Sequence, residues 1–257
     1  MRVTPLSKNR EKWIRKLHQK KYRDAEGVFI AEGFNAFNAA MEKRLYPVLE
    51  IITEKGHVES LWDRAPGDIP LYECSERVMG NISTEEHPQG IVMICGRPSF
   101  PLDSLFAKAG PTLIFLDRVS DPGNLGTIIR TAAWFGVGQV ILSPHCVDPF
   151  NTKVIRSSAG ALFGTEIFCG LSFEELKRFA EEERYRLIAT VPRGGLSPRD
   201  LESSGRDILL LGQEAQGLER DILSDADCRV SITGSGHVES LNLAVACAII
   251  LYELTRP

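Results

Sequence analysis

The stretch TLIFLDRVSDPGNLGTIIRTAAWFGVGQVILS, residues 112–143, decides the fold. TLIFLD (112–117) is an apolar run of strand length that ends on an acid. Such a run, without polar alternation, reads as a strand buried on both faces. SDPGN supplies turn chemistry, and a helix is expected over 124–135 with Asn124 as a good cap. QVILS (139–143) is a second buried strand. Strand, helix and strand in that order imply a parallel sheet with helices packed on it.

The same alternation continues toward the carboxyl terminus. A helix is expected from about Thr152 to Phe163 and another over 172–184. Strands follow at RLIATV (186–191), DILLLG (207–212) and RVSIT (229–233), and a strongly apolar helix spans Leu241 to Leu254. Upstream, NREKWIRKLHQKKY (9–22) places Trp13, Ile14 and Leu17 on one face of an amphipathic helix. Strands at 28–31, 48–54, 69–75 and 90–96 alternate with helices at 33–45, 57–65 and 75–83, which makes a small α/β layer. Between the halves, Arg97 to Pro111 carries three prolines around a short LDSLFAK segment. The expected division is a domain at 1–97, a linker at 98–110 and a domain at 111–257.

With 257 residues, 43% hydrophobic and 25% charged, the chain can bury an ordinary core. It has no apolar run of transmembrane length, and its basic start lacks the apolar region of a secretory signal, so no membrane partner and a cytoplasmic location are expected. The six cysteines form no C-x-x-C pair and mostly sit in apolar surroundings, so they read as small core residues with no metal site. The net charge of −4 conceals an asymmetry. Met1 to Arg23 holds nine Lys or Arg and one acid, a footprint suited to phosphates. A solvated helix face explains the same charges equally well. The candidate contacts are Arg10, Lys12, Arg15, Lys16, Lys20 and Lys21.

Three stretches of the second half are unlike plain core. In DRVSDPGNLGTIIRTAAWFGV (117–137), Arg130 lies among Ile128, Ile129, Ala132 and Ala133, where an arginine needs an anionic partner or exposure at a cleft. In LLLGQEAQGLERDIL (209–223), a buried strand runs into Gly212, Glu214 and Gly217, and the carboxyl end of such a strand is where open α/β sheets bind ligands. In SITGSGHVESLNLAVACAIILYEL (231–254), a GSG loop precedes Ser240 and Asn242, which open a helix too apolar for a solvated surface. Each stretch alone also fits a bland reading: a βα turn with a paired arginine, a turn, a capped helix. No G-x-G-x-x-G follows the first strand of either half, which speaks against a dinucleotide-type site.

Together, NLGTIIRTA, GQEAQGL and SLNLAVA resemble, in order and spacing, the three motifs of the SpoU (TrmH-type) RNA 2′-O-methyltransferases. NTKVIRSSAGALF (151–163) is similar to the family's segment between the first two motifs, and the likeness covers nearly all of 111–257. The first half, through AEGFNAF (31–37) and HPQGIVMI (87–94), resembles the substrate-binding domain attached to many members, itself like certain RNA-binding ribosomal proteins. The sequence departs from the family's usual pattern at Gln213, often Asn, and at Leu243 and Ala244, often Val and Ser.

The resemblance implies a parallel-sheet α/β/α domain closed by a trefoil knot, an exception to the general absence of knots. It implies S-adenosylmethionine as cofactor, held largely through backbone groups at Thr190, Leu211, Gly212, Gly217, Ile232 and Leu241. It places Asn124, Arg130, Glu214, Ser240 and Asn242 on the acceptor side, with Arg130 central and RNA as partner. The implied activity is methylation of a ribose 2′-hydroxyl in 23S-type ribosomal RNA, by a homodimer packed through the knotted domain. A transfer RNA substrate, a base-modifying relative and a non-catalytic RNA-binding or ribosome-assembly protein are the competing readings. The intact Asn124, Arg130, Glu214 and Asn242 speak against the last of these.

Overall fold

The computed structural model describes residues 3–58, 61, 64–101, 104–105, 108–238 and 240–256. The expected helix at 57–65, the LDSLFAK segment at 102–108, Arg2 in the basic start and Glu239 before the third motif lie wholly or partly outside the described residues. The chain divides into two compact units. The first combines residues 1–99 with 148–164, and the second combines 100–147 with 165–257. Residues 148–164, expected with the second domain, thus group with the first unit.

The first unit carries β1 (Val3–Pro5), α1 (Lys8–Lys16), α2 (Lys20–Glu26), β2 (Val28–Glu32), α3 (Phe34–Lys43), β3 (Val48–Glu54), β4 (Leu71–Cys74), α4 (Glu76–Ile82) and β5 (Ile91–Gly96). Among the described residues its sheet has the order β1-β4-β3-β5-β2. β5 pairs antiparallel with β2 and β3, whereas β4 pairs parallel with β3 and β1. Ile14 and Leu17 enter a core with Val28, Ile30, Ile52, Met79, Val92 and Ile94, which is the burial expected of an amphipathic helix.

The helix expected over 9–22 is broken into two, and Arg23 is the reason. Its guanidinium is 3% exposed and donates to the carbonyls of Leu17 (3.0 Å) and His18 (2.9 Å) at the end of α1. It also pairs at 2.5 Å with Asp148, whose side chain is 6% exposed. One of the nine bases of the chain start is therefore internal and unavailable to solvent. Around this pair, Phe150 and Phe163 pack against Phe29 and Tyr46 at ring separations of 4.9–6.1 Å. Residues 148–164 hold α6 (Thr152–Ser157) and a 3-10 turn at Ala161–Gly164, with left-handed Ala159 and Gly160 between them. The single helix expected from Thr152 to Phe163 is interrupted there. A Cβ on Gly160 would stand 3.0 Å from the Asn35 carbonyl oxygen, so α3 packs against bare backbone.

The second unit carries β6 (Thr112–Leu116), α5 (Pro122–Trp134), β7 (Gln139–Leu142), β8 (Glu166–Cys169), α7 (Phe173–Glu183), β9 (Arg186–Thr190), β10 (Asp207–Leu211), α8 (Arg220–Asp225), β11 (Cys228–Val230) and α9 (Leu243–Leu254). Among the described residues its named strands all pair parallel, in the order β11-β9-β10-β6-β7-β8. From β6 the chain steps outward to the β8 edge, then returns to β9, and β10 enters between β9 and β6. Leu113, Phe115, Ile141, Leu187, Ala189, Ile208 and Leu210 form one face of the core against α7 residues Leu176, Phe179 and Ala180. All five residues of β10 are buried, as an uninterrupted apolar run requires of a central parallel strand.

The ion pair inside the first unit gives a stability test. Removing one partner of a buried pair leaves an uncompensated charge and costs about 3–5 kcal/mol. Arg23→Ala is expected to lower unfolding stability by that order in urea denaturation, and Arg23→Met with Asp148→Asn is expected to recover part of the loss. A loss below about 1 kcal/mol, the range of an exposed pair, contradicts this account.

Candidate active site

The site is built at the carboxyl ends of β6 and β10, where parallel strands leave their following loops. The Asp117 N–H donates to the Leu211 carbonyl at 2.8 Å, so the first and second motif loops leave adjacent strand ends in register. α5 begins at Pro122, earlier than expected, and its cap is Asp121 in place of Asn124. The Asp121 carboxylate accepts the Asn124 N–H at 2.7 Å. Aspartate before a proline at the first helical position was the available signal.

Relieved of capping, the Asn124 side chain is free to bridge. Its Nδ2 donates to Glu214 Oε1 at 3.1 Å, and its Oδ1 accepts from Asn242 Nδ2 at 2.8 Å. A carboxylate only accepts, so Glu214 fixes the orientation of the Asn124 amide, which in turn fixes Asn242. Glu214 Oε1 also takes the Asp121 N–H at 3.4 Å. Asn242 Oδ1 caps α9 by accepting from Ala244 (2.9 Å) and Val245 (3.3 Å). Three residues taken from three motifs, 90 and 118 positions apart, thus form one hydrogen-bonded chain.

Two expected members stand outside that chain. Ser240 is exposed and does not cap the last helix, because α9 starts at Leu243 and Asn242 is its cap. Arg130 is exposed on α5, and no hydrogen bond or ion pair to it occurs among the described residues. The sequence setting called for an anionic partner or exposure, and the structure gives exposure.

The expected cofactor residues lie at neighbouring strand ends. Thr190 closes β9, and its hydroxyl donates to the Leu210 carbonyl at 3.0 Å. Leu211 is buried at the end of β10. A Cβ on Gly212 would fall 2.2 Å from the Gly217 carbonyl carbon and the Leu218 nitrogen, so only glycine fits. Gly217 is left-handed (φ 70°) and its N–H donates to the Gln213 carbonyl at 2.7 Å. These two glycines fold residues 212–218 back on themselves. Ile232 is half-buried just past β11, while Leu241, directly before Asn242, is 46% exposed.

Sequence reasoning missed Gly195. Its Cβ would lie 2.7 Å from the Val230 carbonyl carbon, because Leu196 and Ser231 run the chain alongside β11 through bonds of 2.8 and 2.9 Å. The Gly194–Gly195 pair was the only cue.

The basic start is sorted by geometry. Arg10 pairs with Glu50 and stacks 3.7 Å over the Trp13 ring, and Lys20 pairs with Asp24. Lys12, Arg15, Lys16 and Lys21 are exposed, with Lys16 and Lys21 over the Tyr22 ring. Among the cysteines, burial pushes the Cys74 thiol up to about 11 and Cys247 up to about 12, and only Cys169 is exposed. Among the described residues no group of three or more His, Cys, Asp or Glu is arranged to hold a metal ion.

Comparison with known proteins places this geometry. Residues 111–252 match the SpoU rRNA Methylase family, and residues 8–93 match the MRM3-like substrate binding domain. A 23S rRNA (guanosine(2553)-2′-O)-methyltransferase of Bacillus subtilis is 31% identical over 93% of this chain and 93% of its own length. An uncharacterised tRNA/rRNA methyltransferase of Synechocystis is 32% identical over 95% of this chain and 90% of its own. The AdoMet-bound rRNA methyltransferase of Sinorhizobium meliloti superposes with a TM-score of 0.87 at 32% identity, covering 98% of this chain and 97% of that one. With the three motifs joined at the strand ends and both halves matched, the chain belongs to the SpoU (TrmH-type) family of S-adenosylmethionine-dependent RNA 2′-O-methyltransferases.

Proposed function

We propose that this enzyme methylates a ribose 2′-hydroxyl in 23S-type ribosomal RNA, with Asn124, Arg130, Glu214, Ser240 and Asn242 on the acceptor side. The observation that carries the reading is the Asn242–Asn124–Glu214 chain, with the unpaired Arg130 on the helix that holds Asn124. The near full-length likeness to a 23S ribosomal RNA enzyme supports this substrate over transfer RNA.

The strand ends fit S-adenosylmethionine. Gly212 and the left-handed Gly217 fold the loop after β10 back on itself, and Ile232 and Leu241 offer apolar surface suited to an adenine ring. Thr190, Leu211, Gly212, Gly217, Ile232 and Leu241 would hold it. When bound, it supplies an electrophilic methyl group on a sulfonium. Displacement at that carbon needs no metal, and the protein's part is to orient the 2′-oxygen and help it lose a proton. A guanidinium with a pKa above roughly 12 is a poor base. Arg130 instead grips the neighbouring phosphate and stabilises the developing alkoxide. A phosphate oxygen or a water takes the proton. Glu214 and the two asparagines hold α5, and with it Arg130, in place.

Residues 1–97 serve as the RNA-binding domain and 111–257 as the methyltransferase, joined through 98–110. The exposed bases of the start contact phosphates and set affinity more than sequence choice. The return of β10 between β9 and β6 is compatible with a trefoil knot. Trp134 on α5 is 84% exposed, and Val245, Ile249 and Tyr252 are exposed on α9, which packs against α5. Apolar side chains clustered on two packed helices support a homodimer through this surface. No helix among the described residues is long and apolar enough to cross a membrane, and a cytoplasmic enzyme fits the substrate.

Mapping ribose methylation on ribosomal and transfer RNA tests the function. A 2′-O-methyl mark on large-subunit ribosomal RNA is expected to vanish without this protein and to return with wild type. It is not expected to return with Arg130→Ala, which should lose about 100-fold or more in rate while still binding S-adenosylmethionine. A lost mark on transfer RNA alone overturns the substrate assignment. RNA affinity is expected to fall steeply between low and physiological salt, with Lys12, Arg15, Lys16 and Lys21 each contributing close to one unit of slope; a flat salt response removes them from the interface. Ile249→Glu with Tyr252→Glu is expected to give a monomer by light scattering at micromolar concentration, and an unchanged mass against a dimeric wild type moves the interface elsewhere.

A further inference from the structure

Arg118 is the second residue past β6 and has no part in the site described so far. Its backbone is left-handed (φ 52°), a conformation that costs a long side chain roughly 1–2 kcal/mol and glycine almost nothing. The side chain that occupies this position spans two carboxylates. Nε and Nη2 each lie 3.2 Å from Asp117 Oδ2, and Nη1 lies 2.6 Å from Glu219 Oε1.

Both ends of that span are structurally defined. Asp117 is buried, accepts from Ser143 Oγ at 3.1 Å, and donates its N–H to Leu211. The same Ser143 hydroxyl accepts the Arg118 N–H at 2.9 Å. The ends of β6, β7 and β10 are therefore laced together under the guanidinium. Glu219 lies at the other side, 55% exposed, where the 212–219 loop enters α8. Glu214 in mid-loop is already tied to Asn124, and Gly212 is packed on Gly217. The Arg118 bridge fastens the remaining end of the loop.

We propose that Arg118 is a positioning residue for the donor site: by bridging Asp117 to Glu219 it holds residues 212–219 in the shape that takes S-adenosylmethionine. The proposal rests on the reading of Gly212 and Gly217 as donor-binding residues. It predicts a defect specific to one substrate. An exposed ion pair contributes little to global stability, but a loop released at one end must be ordered by its ligand, which weakens binding.

The test uses the full-length enzyme, with calorimetry for S-adenosylmethionine and steady-state kinetics at saturating RNA. Glu219→Ala is expected to raise Kd and KM for S-adenosylmethionine about three- to fivefold, which is the reach of one partly exposed ion pair. Its kcat, its KM for RNA and its melting temperature are expected to match wild type. Arg118→Gly, which relieves the left-handed strain, is expected to show at least the same donor defect. Arg118→Lys cannot span both carboxylates and is expected to recover only part of the affinity. The double variant Arg118→Gly with Glu219→Ala is expected to bind no more weakly than Arg118→Gly alone. Donor affinities within about twofold of wild type in both single variants, or additive losses in the double variant, overturn the bridge. Absent donor binding by wild type overturns the donor reading and the bridge with it.

Discussion

The hydrogen bond from Asn242 to Asn124 is the constraint on which the site depends, because it joins the last helix to the first helix after β6. Each asparagine has a helix terminus as its immediate surroundings. Asn242 satisfies the first free N–H groups of α9 with its oxygen, which leaves its nitrogen for Asn124. Asn124 is released for this bond only because Asp121 caps α5 in its place. The capping of α9 and the joining of the last helix to α5 are met by one side chain, Asn242. Glu214 then sets the direction of the whole chain, since it can only accept.

Much of this was legible in the sequence. The strands of the second unit followed from apolar runs such as DILLL, because a central parallel strand has no solvent side to demand polar alternation. The edges were harder. β8 (Glu166–Cys169) and β1 (Val3–Pro5) passed unnoticed, because an edge strand can be short, carry a charge or contain proline and still pair on one side. The break between α1 and α2 was hidden for another reason. At the break the Leu17 and His18 carbonyls accept from Arg23 Nη1, while Nη2 of the same guanidinium is held by the distant Asp148, a pairing that helical spacing does not reveal.

Charge was where sequence and structure diverged most. Nine bases in the first twenty-three residues suggested a footprint for phosphates. Folding separates the described ones into an internal arginine, two engaged with carboxylates at Glu50 and Asp24, and the exposed Lys8, Lys12, Arg15, Lys16 and Lys21. Arg130 shows the converse. Its apolar neighbours in sequence left open an anionic partner or exposure; Ile128, Ile129 and Ala132 are buried, and the guanidinium stands open on the surface. Helical spacing says which residues share a face, and only the packing says whether that face is covered.

The chain from Asn242 to Glu214 is too weak to assemble the loops that carry it. Each neutral or partly exposed hydrogen bond contributes about 0.5–1.5 kcal/mol net, and ordering one loop residue costs about as much. The loops must therefore be shaped by other means, and their backbones show how. Gly212 meets the Gly217–Leu218 peptide where no side chain could fit, Asp117 pairs with Leu211 across strand ends, and Asp121 starts a helix with proline behind it. The sheet and its glycines place the loops. The asparagines and Glu214 then select one set of side-chain orientations within that frame, while Arg130, farther along α5, has no hydrogen-bond or ion-pair partner among the described residues. A polar chain whose orientations are already fixed needs little reorganisation when charge develops next to it.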